Sequence, residues 1–134
     1  MKRKAIPRRK PQQARSIRKY NEILDAAARV LETMEYTAAT MSEIHLESGH
    51  PFSTIYQYFS NKEELYLAWL ERLMDTVIFG LTDRIRRTDR HDFESQLEIS
   101  VRYSLEQIKT HHAVLGELIN GMDLVSSRMV EHLE

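Results

Sequence analysis

Nine Lys and Arg side chains lie within the first 19 residues of this 134-residue chain, and no acidic residue lies among them. They are Lys2, Arg3, Lys4, Arg8, Arg9, Lys10, Arg15, Arg18 and Lys19. The rest of the chain carries ten bases and twenty acids, so the net charge of -1 conceals a basic arm on an acidic body. Such an arm suits a polyanion such as nucleic acid, and charge alone leaves a solvated tail as the alternative.

A second group of polar side chains could be imagined as a metal site. It comprises Asp89, His91, Asp92, His111 and His112. Adjacent histidines point in different directions on a helix and no metal-ligand spacing recurs, so we disfavour a metal site. No Ser-His-Asp order, phosphate-binding loop or pair of catalytic carboxylates can be placed on a rigid scaffold. The sequence therefore predicts neither an enzyme nor a bound cofactor.

The composition limits the class of protein further. At 15.8 kDa, with 42% apolar and 29% charged residues, the chain has room for one domain or for a small domain with part of another. The absence of Cys fits a reducing cytoplasm. Apolar stretches such as 65–70 are far shorter than the roughly 20 residues of a membrane helix, and no apolar segment follows the basic N-terminus as in a secretory signal. We expect a cytoplasmic protein without a membrane partner.

Apolar residues recur at three- and four-residue spacing along the chain, which predicts an all-α fold. A first helix should cover about residues 15–33. Thr40 followed by Glu43 predicts a capping box that opens a short second helix, and Gly49 should end that helix. Pro51 suits the first turn of a third short helix.

The same pattern continues in the second half of the chain. Ser60 with Glu63 predicts a cap for a long fourth helix. A polar, basic link is expected over residues 82–91, after which the apolar spacing continues from Phe93 to Gly121. A last helix is expected to begin at Asp123.

Two short helices joined by a glycine-containing turn, between longer helices and after a basic arm, form a helix-turn-helix arrangement. The segments ILDAAARVLE and ATMSEIHLESGHPFSTIYQYFSNKEEL, within residues 21–65, resemble the DNA-binding domain of the tetracycline-repressor (TetR) family of bacterial transcription regulators. The match lies in that family's Thr-Met, Ile, Gly, Thr, aromatic-Tyr and Phe pattern followed by Lys-Glu. The run TIYQYFSNKEEL is the most specific part of the resemblance, which spans a third of the chain.

The resemblance implies three parts: a basic flexible arm (1–14), a helix-turn-helix domain (15–66) and a helical ligand-binding and dimerisation region (67–134). The implied function is a repressor that binds double-stranded operator DNA and is released by an unknown small-molecule inducer. The implied assembly is a homodimer of the full-length chain, with no cofactor. Because the family's C-terminal region is longer, we expect the one in this chain to be shortened.

The resemblance also assigns roles to single residues. Phosphate contacts are implied for Thr40, Thr54, Tyr56, Tyr58 and Lys62, whose hydroxyl and ammonium groups are common phosphate donors. Base-edge contacts are implied for Phe52, Ser53 and Gln57. Arg8 and Arg9 are expected to reach a minor groove. For Tyr56 and Tyr58 a role in packing remains the alternative.

Phe52 presents a conflict between two arguments. Its spacing of three and seven residues from Ile55 and Phe59 places it near the core, whereas the resemblance turns it toward DNA. We favour the DNA side.

Two histidines depart from the family pattern. His45 stands where a small Ala usually lets the short helices approach, and His50 stands where an apolar residue usually fills the turn. These departures favour an alternative of a different class, a helical protein-protein interaction module or truncated regulator that does not bind DNA. The basic arm and the phosphate-contact residues oppose this alternative.

Overall fold

The computed structural model describes residues 13–122, which form five helices. They are α1 (Ala14–Thr33), α2 (Met41–Ser48), α3 (Phe52–Tyr58), α4 (Lys62–Arg86) and α5 (Phe93–Gly121). No strand occurs among these residues, and the all-α prediction is confirmed. None of the helices in this range combines the length and apolar character needed to cross a membrane. The helix expected from Asp123 lies outside the described residues.

The described residues form two compact units. The first comprises residues 13–69 and 113–122, and the second comprises residues 70–112. Helices α4 and α5 each contribute to both units. The sequence-based boundary after residue 66 falls inside α4, and the division into arm, DNA-binding domain and C-terminal region stays a prediction.

The core of the first unit begins with α1, which packs against α2. Six of its side chains are buried: Ile23, Leu24, Ala26, Ala27, Val30 and Leu31. The other helices of this unit, together with Phe59 directly after α3, also contribute buried apolar residues: Ile44, Ile55, Leu65, Trp69, Val114 and Leu118. Small residues on α1 let neighbouring backbones approach closely, and the large aliphatic residues supply the buried area that stabilises the unit.

The helix-turn-helix, α2 and α3, is fixed by local sequence signals. The Thr40 hydroxyl accepts a hydrogen bond from the Glu43 amide at 3.3 Å, as the predicted cap requires. Gly49 ends α2 with φ of 70°, a left-handed conformation that glycine adopts without strain. Pro51 directly precedes the first turn of α3, and its carbonyl accepts from the Ile55 amide.

The start of α4 differs from the prediction by one residue. The expected cap was Ser60 with Glu63, but Asn61 caps the helix, and its side-chain oxygen accepts from the Glu64 amide at 2.8 Å. The Glu64 carboxylate in turn accepts from the Ser60 amide at 3.0 Å. Ser and Asn both cap helices well, and each is followed three residues later by a Glu: Ser60 by Glu63 and Asn61 by Glu64. The spacing alone therefore allows either residue to be the cap.

Tyr66, which follows Leu65 on α4, is a core residue that the apolar pattern did not indicate. Its side chain is fully buried and its hydroxyl donates to the Ala27 carbonyl of α1 at 2.9 Å. Burial raises the pKa of Tyr66 far above its usual value, and the neighbouring Tyr36 adds to the shift. The phenol therefore stays protonated and ties α4 to α1.

Tyr36, in the loop between α1 and α2, joins that loop to the end of α5. Its amide donates to the Glu117 carboxylate at 3.2 Å, and its ring lies edge-on to Tyr66 with centroids 5.6 Å apart. Gly121 lies so close to the Tyr36 ring that no larger residue fits without displacing it. The last turns of α5 are thus part of the first unit.

In the second unit, α4 runs five residues further than predicted. The expected link at residues 82–91 is helical up to Arg86, and only residues 87–92 connect α4 to α5. An ion pair between Asp83 and Arg87, one helical turn apart, and basic residues in the last turn stabilise this extension. The Arg84 guanidinium lies 4.1 Å from the centroid of the buried Tyr103 ring.

Two glycines of α5 provide a matched test of the contact with Tyr36. We expect Gly116→Ala to stabilise the protein by about 1 kcal/mol, because Ala favours helix and the new methyl group has no neighbour within 4 Å apart from the adjacent backbone of its own helix. Gly121→Ala should instead destabilise by roughly 1–3 kcal/mol, since its Cβ would lie 2.7 Å from the Tyr36 Cγ. Urea denaturation of both variants checks this. Equal stabilisation by the two substitutions would contradict the close packing at Tyr36.

Candidate nucleic-acid interface

One side of α3 is exposed and chemically varied. Helical geometry places Phe52, Ser53, Tyr56 and Gln57 on this side, and all four are exposed. We call these four residues the outer face of α3. The opposite side carries Ile55 and Phe59, which are buried in the core. The core contacts thus hold α3 while the outer face presents a hydroxyl, an amide and two aromatic rings.

Phe52 lies outside the core, on the exposed side that we favoured. Its side chain is 40% exposed, whereas Ile55 is fully buried. The ring stacks on His45 of α2 with centroids 4.2 Å apart and planes 24° apart. The Tyr56 ring also lies next to Phe52, with centroids 6.3 Å apart and planes at 22°. Three nearly parallel rings therefore run from α2 onto the outer face of α3.

The hydroxyl residues occupy different environments. Thr40 is exposed and caps α2, whereas Thr54 is half-buried at the start of α3. Tyr56 is 41% exposed and its ring also lies beside Phe52, so for Tyr56 both a DNA contact and a packing role stay predictions. Tyr58 is half-buried and its ring meets Tyr20 of α1 edge-on, with centroids 5.8 Å apart, so it has a packing role.

Lys62 makes an intramolecular contact that the sequence did not indicate. Its ammonium donates to the Tyr36 carbonyl at 2.7 Å and lies 4.2 Å from the centroid of the Tyr36 ring. Burial lowers the pKa of Lys62. The contact fixes the loop that leads to Thr40, and one of three ammonium hydrogens is used in it.

The two departures from the family pattern form one network. His45 Nδ1 lies 2.7 Å from the His50 carbonyl oxygen, and His50 Nε2 lies 2.7 Å from a Glu22 carboxylate oxygen of α1. The His50 amide donates to the Ser48 hydroxyl at 3.2 Å. The turn between α2 and α3 is therefore held by polar contacts where an apolar residue was expected. No spacing in the sequence indicated these pairings.

Within residues 13–122, no group of three or more His, Asp or Glu side chains is arranged to hold a metal ion. Two acidic residues of the group discussed as a possible metal site, Asp89 and Asp92, have local structural roles. Asp89 accepts from the His91 amide, and Asp92 caps α5 by accepting from the Ser95 amide. Hydrogen bonds from the side chain and backbone of Ser95 hold the pKa of Asp92 below its usual value. Arg8 and Arg9 lie outside the described residues.

Comparison with known proteins shows that the segment carrying this candidate interface is similar to one family. Residues 23–69 match the model of the bacterial regulatory proteins of the TetR family. The HTH-type transcriptional activator FasR of Mycolicibacterium smegmatis is 40% identical over 67 residues, which are 50% of this chain and 31% of FasR. The fatty acid metabolism regulator protein of Bacillus subtilis is 31% identical over 87 residues, which are 65% of this chain and 45% of that protein.

A solved structure extends the similarity to the fold. The fatty acid degradation regulator FadR from Bacillus halodurans is 27% identical and superposes with a TM-score of 0.71, over 92% of this chain and 60% of that one. The chain spans less than half the length of the two curated relatives. The matched residues 23–69 include α2 and α3, so the similarity to the TetR family of bacterial regulatory proteins covers the helix-turn-helix.

Proposed function

We propose that this chain is a DNA-binding transcription regulator that inserts the outer face of α3 into the major groove of operator DNA. The observation that carries the proposal is the division of α3 into a buried side, Ile55 and Phe59, and an exposed side. A helix held in this way presents side chains to base edges while its backbone remains fixed. Phe52, Ser53 and Gln57 are the proposed base contacts.

Phosphate contacts from both short helices would set the register of α3 on DNA. The Thr40 oxygen accepts the capping hydrogen bond, so its hydroxyl hydrogen can be donated to a phosphate. Lys62 has two further ammonium hydrogens besides the one given to Tyr36. Thr54, Tyr56 and Tyr58 complete the proposed set. Such contacts position a protein on DNA without selecting sequence.

The basic arm would add contacts beside this interface. Tyr20 of α1 packs on Tyr58 and Phe59, at the end of α3. Gln13 lies seven residues before Tyr20, or roughly 10 Å along the helix axis, so the arm joins α1 about two turns from that contact. We propose that Arg8 and Arg9 reach an adjacent minor groove.

The finer proposal is a repressor that is released by a small-molecule inducer and acts as a dimer. The second unit contains an open cavity of about 470 Å³ whose lining includes Arg84, Ile99 and Tyr103, within the size range of small-molecule sites. One side of α5 exposes apolar residues that suit a subunit contact: Phe93, Leu97, Val101, Leu105 and Ile108. Two copies bound about one DNA turn apart supply the specificity that one short helix lacks.

Selection from a random DNA pool tests the base contacts. Helix α3 contains no Lys or Arg to bind guanine, but it offers Gln57, suited to adenine, and Phe52, suited to a thymine methyl group. The base-contacted positions should therefore favour A·T pairs. Gln57→Ala should relax the preference at one position per half-site by roughly 1–3 kcal/mol.

The matched control is Gln107→Ala in α5, outside the helix-turn-helix, which should leave the preference unchanged. A selected core rich in G·C pairs would contradict the assignment of these base contacts. Failure of the wild-type chain to retain any duplex would instead contradict DNA binding itself.

A further inference from the structure

His45 is held at one edge and stacked on one face. Its Nδ1 lies 2.7 Å from the His50 carbonyl oxygen, and a carbonyl only accepts, so Nδ1 carries the proton and donates. His50 is itself held, since its Nε2 lies 2.7 Å from a Glu22 carboxylate oxygen. The His45 ring is thus fixed between the turn and Phe52. The His45 side chain fills a position beside α3 at which a small side chain would leave space.

Phe52 would otherwise have a reason to turn inward. Its spacing from Ile55 and Phe59 places it next to the buried side of α3, and burial of an aromatic ring is favourable. The 40% exposure of Phe52 is therefore an arrangement that the surroundings must maintain. The His45 ring of α2 stacks on one face of Phe52 with centroids 4.2 Å apart, and this contact holds Phe52 in the position where its side chain stays 40% exposed.

We propose that His45 is a positioning residue for base recognition: its stacked ring holds Phe52 on the outer face of α3, where the phenyl ring meets a thymine methyl group. The inference rests on the proposed function, because it requires α3 to lie in the major groove. By this inference, His45 of α2 helps to determine specificity although it contacts no base. The hydrogen bond to the His50 carbonyl fixes the ring but is secondary to the stacking.

Three substitutions separate the two contacts of His45. His45→Ala removes both the ring and the hydrogen bond. His45→Asn keeps an N–H donor but removes the ring, and His45→Phe keeps a ring but removes the donor. Phe52→Ala removes the proposed methyl contact itself. Circular dichroism and affinity for a random-sequence duplex establish that each variant is folded and retains its phosphate contacts.

The probe is a duplex selected from a random pool by the wild-type chain, together with copies in which one thymine at a time is replaced by uracil. Uracil lacks only the C5 methyl group. For the wild type we expect one position per half-site at which uracil lowers the affinity about fourfold, the effect of losing one buried methyl-sized group. Phe52→Ala, His45→Ala and His45→Asn should abolish this preference, and His45→Phe should retain it.

Each other outcome has a defined meaning. If folded His45→Ala and His45→Asn keep the thymine preference of the wild type, the inference is wrong. It is also wrong if folded His45→Phe loses the preference, because the ring is then not what positions Phe52. A wild-type chain that binds the selected duplex but shows no thymine preference at any position overturns the inference and leaves DNA binding intact. A chain that selects no duplex overturns the proposed function instead.

Discussion

Deleting residues 1–14 should weaken binding to DNA and flatten its dependence on salt. The deletion removes six of the nine bases that lie within the first 19 residues: Lys2, Arg3, Lys4, Arg8, Arg9 and Lys10. Each phosphate neutralised by a base releases counterions, and contributes about 0.9 to the slope of log affinity against log salt. If all six bases contact phosphates, the full chain loses about a thousandfold more affinity than the deleted chain between 50 and 200 mM salt.

Titration of a fixed duplex at several salt concentrations measures this slope. A matched control replaces the same six bases with Gln and keeps the length of the arm, which separates its charge from its bulk. We expect the Gln variant and the deletion to give the same reduced slope. A slope equal to that of the full chain would show that the arm does not contact DNA.

The second large effect is expected within α2, where two aliphatic residues two positions apart differ completely in burial. Ile44 is fully buried, whereas Leu46 is 73% exposed. Ile44→Ala should destabilise the protein by roughly 2–5 kcal/mol, because it removes buried methyl groups and leaves a cavity. Leu46→Ala should change stability by no more than about 0.5 kcal/mol, since no packed contact is lost.

Denaturant unfolding followed by far-UV circular dichroism compares the two variants. Because a domain of this size is stable by only about 5–15 kcal/mol, Ile44→Ala should also lower the fraction of folded, DNA-binding protein on warming. The Leu46 variant also replaces an aliphatic residue of α2 with Ala, so it serves as the control. Similar losses of unfolding free energy in the two variants would mean that α2 does not pack through Ile44.

Most features of the fold that depend on neighbouring residues were predicted correctly from the sequence. Thr40 and Gly49 bound α2 as expected, because a cap and a left-handed C-terminus are determined within a few residues. The inward positions of Ile55 and Phe59 follow from the helical period. The cap of α4 was wrong by one residue, since Ser60 and Asn61 offer the same chemistry at the same spacing.

Contacts between residues far apart in the chain could not be predicted in this way. Tyr66 donates to a carbonyl 39 residues away and Lys62 to one 26 residues away, and no periodic pattern encodes such pairs. The stacking of His45 on Phe52 joins two helices. Sequence reasoning identified both residues as unusual but could not show that they contact each other. The proposed DNA contacts depend both on features determined by neighbouring residues and on contacts between residues far apart in the chain.

The hydrogen bond from the Tyr36 amide to Glu117 has a consequence for the motions of the first unit. A loop amide in a small domain ordinarily exchanges its hydrogen with solvent quickly, but this one is held by a side chain 81 residues away. Its exchange with deuterium requires that the carboxylate release it. A single backbone position therefore reports how often the end of α5 opens from the loop that leads to the helix-turn-helix.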